Sequence, residues 1–317
     1  MWFIFALIST FGWGLADLFY KKSAPGDDRY SHLKTAIWVG IIMGVVSIGL
    51  LPFAESGFSL SSLVTNAIRY SPASISYIIS MVVGYAGLRY LELSIISPVQ
   101  NASGAFSTVA MIIYFTAVGR MQRISDEFSA LDIIGTVIIV AGVVALAAVE
   151  KKLSSEEKAE DRKYKLGALA LIFPVLYCVF DTAGTAADGI ILDEETGLGL
   201  GEIDVIILYG LTFLLAAVIC WIFLLIKTKK AYNPFTKSQK TNFFAACCEE
   251  FGQIFYVYAM ARKPMLAAPI VACYCIVSVI LSRIFLKEKL KASQYACVVS
   301  VIAGIVILGI SEGLAEA

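Results

Sequence analysis

The sequence has little charge and a single histidine. Only 16% of its 317 residues are Asp, Glu, Lys or Arg, whereas 59% are apolar or aromatic, and soluble domains carry about 25% charged residues. Lys and Arg number 25, and so do Asp and Glu, which removes any whole-chain electrostatic case for binding nucleic acid. A mean hydropathy of +0.80 excludes an ordinary water-soluble globule. We therefore expect a chain that lies almost entirely in a membrane.

Patterns for metal binding and catalysis are also missing. The seven cysteines lie in apolar stretches without a CxxC pair, and His32 stands in a charged loop. We interpret the cysteines as core residues rather than a disulfide or zinc framework, and no Ser/His/Asp set is credible with that histidine. The glycine-rich stretch 197–201 follows no strand, so it is not a dinucleotide fingerprint. The sequence predicts no enzyme, no metal and no cofactor.

Apolar runs predict ten membrane-spanning helices, because a hydrocarbon core of ~30 Å takes about 20 residues per crossing. The predicted segments are 2–20, 33–53, 72–91, 94–118, 131–149, 166–187, 203–226, 241–261, 265–285 and 292–311. No basic region precedes the first run, so we expect it to be a retained crossing rather than a cleaved signal peptide. Residues 150–165 carry dense charge of both signs. We expect them to form a cytoplasmic linker between two five-helix halves, 1–149 and 166–317.

The two halves align with each other at offsets of 162 to 171 residues. The matching pairs are Asp17 with Asp181, Tyr85 with Tyr256, Pro98 with Pro269, and Gly142 with Gly304. Because each half contains an odd number of crossings, the second half must lie upside down relative to the first. The predicted fold is therefore an all-α integral membrane protein built from two inverted five-helix repeats.

The distribution of Lys and Arg predicts the orientation. Connections after odd-numbered segments, together with the segment ends that adjoin them, hold 20 of them, and connections after even-numbered segments hold 5. The positive-inside rule then places the odd-numbered connections in the cytoplasm and both termini outside. We expect a multi-pass protein of the plasma (cytoplasmic) membrane.

Segments nine and ten carry a recognisable pattern. It consists of Pro269, the run Phe285-Leu286-Lys287-Glu288-Lys289-Leu290, Ser293-Gln294 and Ala303-Gly304. This pattern resembles the C-terminal signature of the EamA repeat in the drug/metabolite transporter superfamily. The first half resembles it more weakly through Trp13-Gly14 and Lys21-Lys22, and it has Gly119-Arg120 where the family's Gly-Glu pair is expected. The resemblance implies a transporter but not its substrate, since relatives carry amino acids, drugs, nucleotide sugars, phosphorylated sugars and quaternary amines.

Three acids inside apolar segments are the predicted substrate- or proton-binding residues: Asp17, Asp181 and Glu249. An ionised side chain at membrane depth costs about 2.5–3.5 kcal/mol on insertion scales, so such acids usually face a water-filled cavity or a partner. The neighbouring Glu250 falls on an apolar helix face, and we expect it near the membrane end or paired with a base such as Arg283.

The predicted cavity lining consists of aromatic and amide side chains that share helix faces with these acids or follow Pro98. They are Trp13, Tyr85, Gln100, Asn101, Tyr177, Gln253 and Tyr256. Carboxylates among aromatic faces would bind an amine, with about 0.5–2 kcal/mol per cation–π contact, or a partly buried acid would load and release a proton. Two structural alternatives stay open. Tyr and Trp also mark membrane interfaces, and Gln100 and Asn101 would equally satisfy backbone groups freed by Pro98.

The leading prediction is a secondary active transporter for a small polar or amphiphilic metabolite, such as an amine, an amino acid or a drug-like compound. It would work by alternating access, driven by a proton or solute gradient, since no nucleotide-binding motif is present. An uptake carrier for a quaternary amine such as choline is one alternative, and a nontransporting membrane scaffold or sensor is another. The expected partners are the small-molecule substrate and the lipid bilayer, with the chain as a monomer or homodimer.

Overall fold

The computed structural model describes residues 1–25, 28–55, 59–157, 167–287 and 291–315. Every regular element in those ranges is helical. The α-helices are α1 (Trp2–Ser23), α2 (Ser31–Leu50), α3 (Leu60–Gly87), α4 (Leu93–Asn101), α5 (Ser103–Ala117), α6 (Ala130–Glu157), α7 (Ile172–Ile191), α8 (Glu202–Thr228), α9 (Lys240–Met260), α10 (Pro264–Ala272), α11 (Tyr274–Leu281) and α12 (Ala292–Ala315). Short 3₁₀ turns lie at Leu51–Phe53, Ile124–Asp126, Gly167–Leu171 and Lys237–Gln239, and a π turn follows α11 at Ser282–Leu286.

The surface of the helix bundle is apolar and its interior contains polar groups. Seven of the described helical stretches are long and apolar enough, by length and composition, to cross a membrane. Side chains that are more than half exposed include Val45, Ile68, Phe106, Val137 and Val299. Such a surface suits lipid rather than water. The prediction of a multi-pass, all-helical membrane protein is confirmed at this level.

Each predicted segment overlaps one helix or two consecutive ones, although α3 begins at Leu60, twelve residues before the third predicted segment. The fourth is divided at Ala102 into α4 and α5, and the ninth is divided at Cys273 into α10 and α11. Each break lies one turn after a repeat-related proline, Pro98 or Pro269. Nearby side chains take up carbonyls there: Asn101 donates from Nδ2 to the Ser97 carbonyl at 2.7 Å, and Cys273 Sγ lies 3.1 Å from the Pro269 carbonyl.

The predicted linker is partly helical. α6 continues to Glu157, eight residues into the stretch 150–165 that the sequence assigns to a solvated connection. Residues 158–166 lie outside the described ranges, as do Glu288, Lys289 and Leu290 of the family-like signature.

The two halves of the chain pack against each other through equivalent helices. The pairs between the halves include α1 with α9, α2 with α8, α3 with α7, α6 with α12, α4 with α11, and α5 with α10. If each helix is replaced by its equivalent in the other half, α1 with α9 becomes α7 with α3, and α4 with α11 becomes α10 with α5. The pairs α2 with α8 and α6 with α12 become themselves. Some contacts are backbone-close: a Cβ on Gly40 of α2 would lie 2.2 Å from the Phe213 carbonyl oxygen of α8. This packing directs α1, α7 and α9, which carry the three predicted acids, toward a common centre.

Candidate functional site

A cavity lies at the centre of the bundle, between helices of both halves. Its empty space amounts to about 740 Å³, including the region where it opens to the outside. Nine of the ten predicted site residues line it: Asp17, Asp181, Glu249, Trp13, Tyr85, Gln100, Asn101, Tyr177 and Tyr256. Their roles in binding stay predictions, but the structure brings them together around one space.

Asp17 is held by two serines that belong to the two broken segments. Its Oδ2 atom accepts hydrogen bonds from Ser97 Oγ of α4 and from Ser278 Oγ of α11, each at 2.7 Å. Hydrogen bonds to a charged acceptor contribute more than neutral ones, about 1.5–3 kcal/mol. One carboxylate of α1 therefore ties together a helix of the first half and a helix of the second.

Asp181 repeats part of this arrangement. Its Oδ2 atom accepts a hydrogen bond from Ser103 Oγ of α5 at 2.6 Å. α5 and α11 are the second parts of the two broken segments. Ser278 of the second half donates to Asp17 of the first, and Ser103 of the first half donates to Asp181 of the second, so both bonds join the two halves. We call these two contacts the crossed aspartate–serine bonds.

The Glu249 side chain extends from α9 toward α1. Its Oε2 atom accepts a hydrogen bond from the Tyr20 hydroxyl at 3.0 Å, and its backbone carbonyl accepts one from Trp13 Nε1 at 3.2 Å. One turn later, Gly252 allows the indole ring to lie against α9, because a Cβ there would be 2.4 Å from Trp13 Cδ1. The indole is thus positioned beside the carboxylate that it helps to enclose.

Aromatic rings form one wall of the cavity. Trp13 lies with its ring centroid 5.0 Å from that of Tyr256 and 5.7 Å from that of Tyr274, the latter edge to face. The Tyr77 hydroxyl shares a hydrogen bond of 2.5 Å with the Tyr256 hydroxyl and donates to Thr185 Oγ1 at 3.1 Å. These bonds fix the ring planes, so the wall is preorganised.

The amide and tyrosine groups on the other side of the cavity differ in how well they are satisfied. The Asn101 amide donates to the Ser97 carbonyl, which fits the structural alternative that it compensates for the helix break. Tyr85 packs against Tyr20 with centroids 4.6 Å apart, and the two buried hydroxyls lie close to each other. The Tyr85 hydroxyl therefore adds a polar group to the cavity lining.

The charge of the lining has one sign. Among the described residues that line the cavity, three are carboxylic acids and none is Lys, Arg or His. A cleft lined by acids within low-dielectric walls concentrates cations. The site is therefore suited to a positively charged group that the carboxylates and aromatic faces would share.

Two predictions for α9 differ from what the structure contains. Gln253 does not line the cavity: it is buried, and its Nε2 atom makes no hydrogen bond with the described residues. At 100° per residue it points about 40° to one side of Glu249, whereas Tyr256 points only about 20° to the other side. Glu250 is buried and its Oε1 atom accepts no hydrogen bond from the described residues, while Arg283 is exposed.

Several lining or supporting residues are absent from the sequence-based set. They are Tyr20, Tyr209, Ser97, Ser103 and Ser278. Tyr20 shares the helix face of Trp13 and Asp17, so periodicity contained that signal. The serines carried none, because a serine within a helix commonly bonds its own backbone.

Comparisons with known proteins agree with this architecture. A protein of known crystal structure, 14% identical, aligns over 96% of this chain and 95% of its own with a TM-score of 0.58, which supports the fold alone. No curated protein matches the chain. Residues 196–310 match the EamA-like transporter family and confirm the resemblance to the drug/metabolite transporter superfamily. The segment 196–310, which matches that family model, includes Glu249, Tyr256 and the break between α10 and α11.

Proposed function

We propose that the protein is a secondary active transporter of a small metabolite that carries a positively charged amine. The observation that supports this most directly is the central cavity, with its three carboxylates, its aromatic wall and no basic side chain among the described lining residues. Amines, amino acids and amine-bearing drug-like compounds share the required cationic group.

The aromatic wall favours a quaternary amine within this class. Trp13, Tyr256 and Tyr274 present ring faces and edges within 6 Å of one another, and a desolvated cation over such a face gains up to about 2 kcal/mol. A quaternary ammonium has no N–H to donate, so it depends on this kind of contact more than a primary amine does. Uptake of a compound such as choline is accordingly the second candidate.

Alternating access between two inverted halves is the mechanism we infer. The helix pairs that map onto one another, together with the matched breaks at Ala102 and Cys273, support a two-fold relation between the halves. Inverted halves exchange conformations, so a cavity closed at one end of the bundle becomes closed at the other. We place the protein in the plasma membrane with both termini outside, driven by a proton or solute gradient.

The first experiment identifies a ligand and tests transport. Purified protein is screened by thermal shift against amines, amino acids, nucleosides and sugar phosphates, and labelled choline and tyramine are then measured in counterflow across proteoliposomes. We expect stabilisation by amines and counterflow of at least one of them. Glu249→Gln should abolish counterflow, whereas Glu194→Gln, an exposed residue outside the cavity, should not.

The rival classes give different results. A nontransporting scaffold or sensor would be stabilised by a ligand without counterflow of that ligand in proteoliposomes. A carrier for anions such as sugar phosphates would show the largest thermal shift with those compounds, against the charge of the lining. Either result would contradict the proposed function.

A further inference from the structure

A further buried acid on α7 lies outside the cavity lining. Asp188 of α7 is 0% exposed, and its Oδ1 atom accepts a hydrogen bond from the Tyr70 hydroxyl of α3 at 2.7 Å. No hydrogen bond of ordinary length reaches its Oδ2 atom from the described residues, although the Tyr77 and Tyr256 hydroxyls lie near the carboxylate. A buried carboxylate with no basic partner and one weakly bonded oxygen is costly when ionised. Such a group needs either a bound cation or a proton.

A short ladder of polar contacts connects Asp188 to the cavity. Thr185, one turn before Asp188 on α7, lines the cavity and accepts a hydrogen bond from Tyr77. Tyr70, two turns before Tyr77 on α3, reaches Asp188. Because α3 and α7 run antiparallel, these two contacts are successive steps along one helix interface. Asp188 therefore lies one helical turn from side chains that face the cavity.

A second pocket lies next to the loop that follows α7. It has about 750 Å³ of empty space, and its lining includes Arg120 and Asp193, whose Nε and Oδ1 atoms are 3.1 Å apart. Packing around Asp188 itself is tight: a Cβ on the adjacent Gly189 would lie 2.3 Å from Met111 Sδ. Asp188 thus lies along the chain between Thr185, which lines the cavity, and Asp193, which lines the second pocket, and the packing at Gly189 leaves little room there for a bulky ligand.

A proton fits this position better than a metal cation. Within the described ranges, no group of three or more His, Cys, Asp or Glu side chains is arranged to hold a metal ion. Hard cations take six or more oxygen ligands, or an octahedral set, whereas Asp188 offers one carboxylate beside hydroxyls. A single proton on Oδ2 neutralises the acid and leaves the Tyr70 contact at Oδ1 in place.

The charged and titratable groups around Asp188 come from several helices. α3 contributes Tyr70 and Tyr77, α9 contributes Tyr256, α8 contributes Tyr209 against Tyr77, and α7 itself contributes Asp181 two turns earlier. At the neighbouring pocket stand Arg120, Glu127, Asp193, Glu194, Glu195, Arg262 and Lys263. Neither arginine pairs with Asp188. Arg120 forms ion pairs with Glu127, Asp193 and Glu195, and Arg262 forms one with Glu202.

We propose that Asp188 is a proton-binding site separate from the substrate cavity, and that its protonation couples a proton gradient to transport. This rests on the proposed function. When Asp188 is ionised, the charge-assisted hydrogen bond from Tyr70 holds α3 and α7 together at this end of the bundle. When a proton binds Oδ2, the bond becomes an ordinary one and the two helices separate more easily. The proton leaves to the other side after the halves have exchanged conformations.

The test separates exchange from accumulation. Proteoliposomes are assayed for counterflow of labelled choline and tyramine, and for accumulation of the same amines driven by an imposed pH gradient, with trapped pyranine reporting protons. We expect Asp188→Asn to retain counterflow within about twofold and to lose driven accumulation and the pyranine signal. Asp132→Asn, an exchange of the same kind outside the cavity, should retain all three.

The outcomes distinguish this proposal from the function on which it rests. If Asp188→Asn accumulates amine as the wild type does, the coupling role is wrong although transport stands. If the wild type shows counterflow but no pH-driven accumulation, the coupling role is again wrong. If the wild type shows no counterflow of any amine, the proposed function has failed instead.

A second variant covers the case in which Asp188→Asn does not fold. Tyr70→Phe keeps the acid and removes only the hydroxyl that donates to it. It should displace the pH profile of driven accumulation and that of counterflow in the same direction, because both need α3 and α7 to separate at Asp188. An unchanged profile for both would overturn the proposal.

Discussion

Replacing Asp17 by Asn should weaken the binding of a cationic amine without disturbing the fold. The Asn Oδ1 atom can still accept the hydrogen bonds that Ser97 and Ser278 donate to Asp17, so only the charge is lost. A unit charge about 4 Å from another interacts by about 4 kcal/mol at an effective dielectric constant of 20. The other two carboxylates share the cation, so we expect a loss of about 2–4 kcal/mol, or roughly 30- to 1000-fold in Kd.

The assay compares a cation with its neutral isostere. Isothermal titration of purified protein gives Kd for choline and for 3,3-dimethylbutanol, which has the same shape without the charge. Asp17→Asn should weaken choline alone, and Asp132→Asn, at the first turn of α6, should weaken neither. Equal loss for both ligands would mean that the variant damages the cavity, and no loss for choline would mean that Asp17 does not contact the amine.

Three further predictions concern packing, pH and orientation. Gly104→Val should lower the free energy of unfolding by about 1–3 kcal/mol in detergent, because a Cβ there lies 2.4 Å from Ala272 Cβ; an unchanged melting temperature would contradict the close contact of α5 with α10. In the loop after α7, burial opposes ionisation of Asp193, but hydrogen bonds from Thr196 and the Arg120 guanidinium outweigh it and hold its pKa below the ordinary value. The ionised Asp193 therefore stabilises the loop above pH of about 4, and this stabilisation is lost as the pH falls through the lowered pKa. Proteolysis of the loop should begin only in that acidic range. In Arg120→Gln it should begin at a higher pH than in the wild type. A C-terminal epitope tag should bind antibody on intact cells, and binding only after permeabilisation would reverse the orientation.

The sequence predicts the large-scale fold well because the membrane imposes it. A hydrocarbon core allows one kind of segment, so apolar runs identify the helices and their approximate ends. Pro98 indicates freed backbone groups in the fourth segment, and the structure shows the helix break one turn later, at Ala102, where Asn101 takes up the Ser97 carbonyl. α6 runs into the charged stretch because Lys and Glu are good helix formers, and charge alone does not end a helix.

The candidate site is predictable only in part. Acids in apolar segments stand out, and so do aromatics at helical spacing, which is why Asp17, Glu249 and Trp13 are found from the sequence. Ser278 and Tyr209 are not, because their place depends on how α11 and α8 pack against partners far away in the chain. Asp188 shares the helix face of Asp181 in the sequence, and only the antiparallel contact with α3 distinguishes its surroundings.

The crossed aspartate–serine bonds have a consequence for an empty carrier. Ser278 donates to Oδ2 of Asp17 and Ser103 donates to Oδ2 of Asp181, so each serine uses one of the two oxygens with which the carboxylate would neutralise a cationic cargo. An incoming amine must compete with these hydroxyls, and while it does so the two halves lose bonds that join them. Substrate binding would then permit the conformational change that transports the substrate. Without substrate the bonds between the halves would stay in place, so the protein would not change conformation and would not dissipate the gradient.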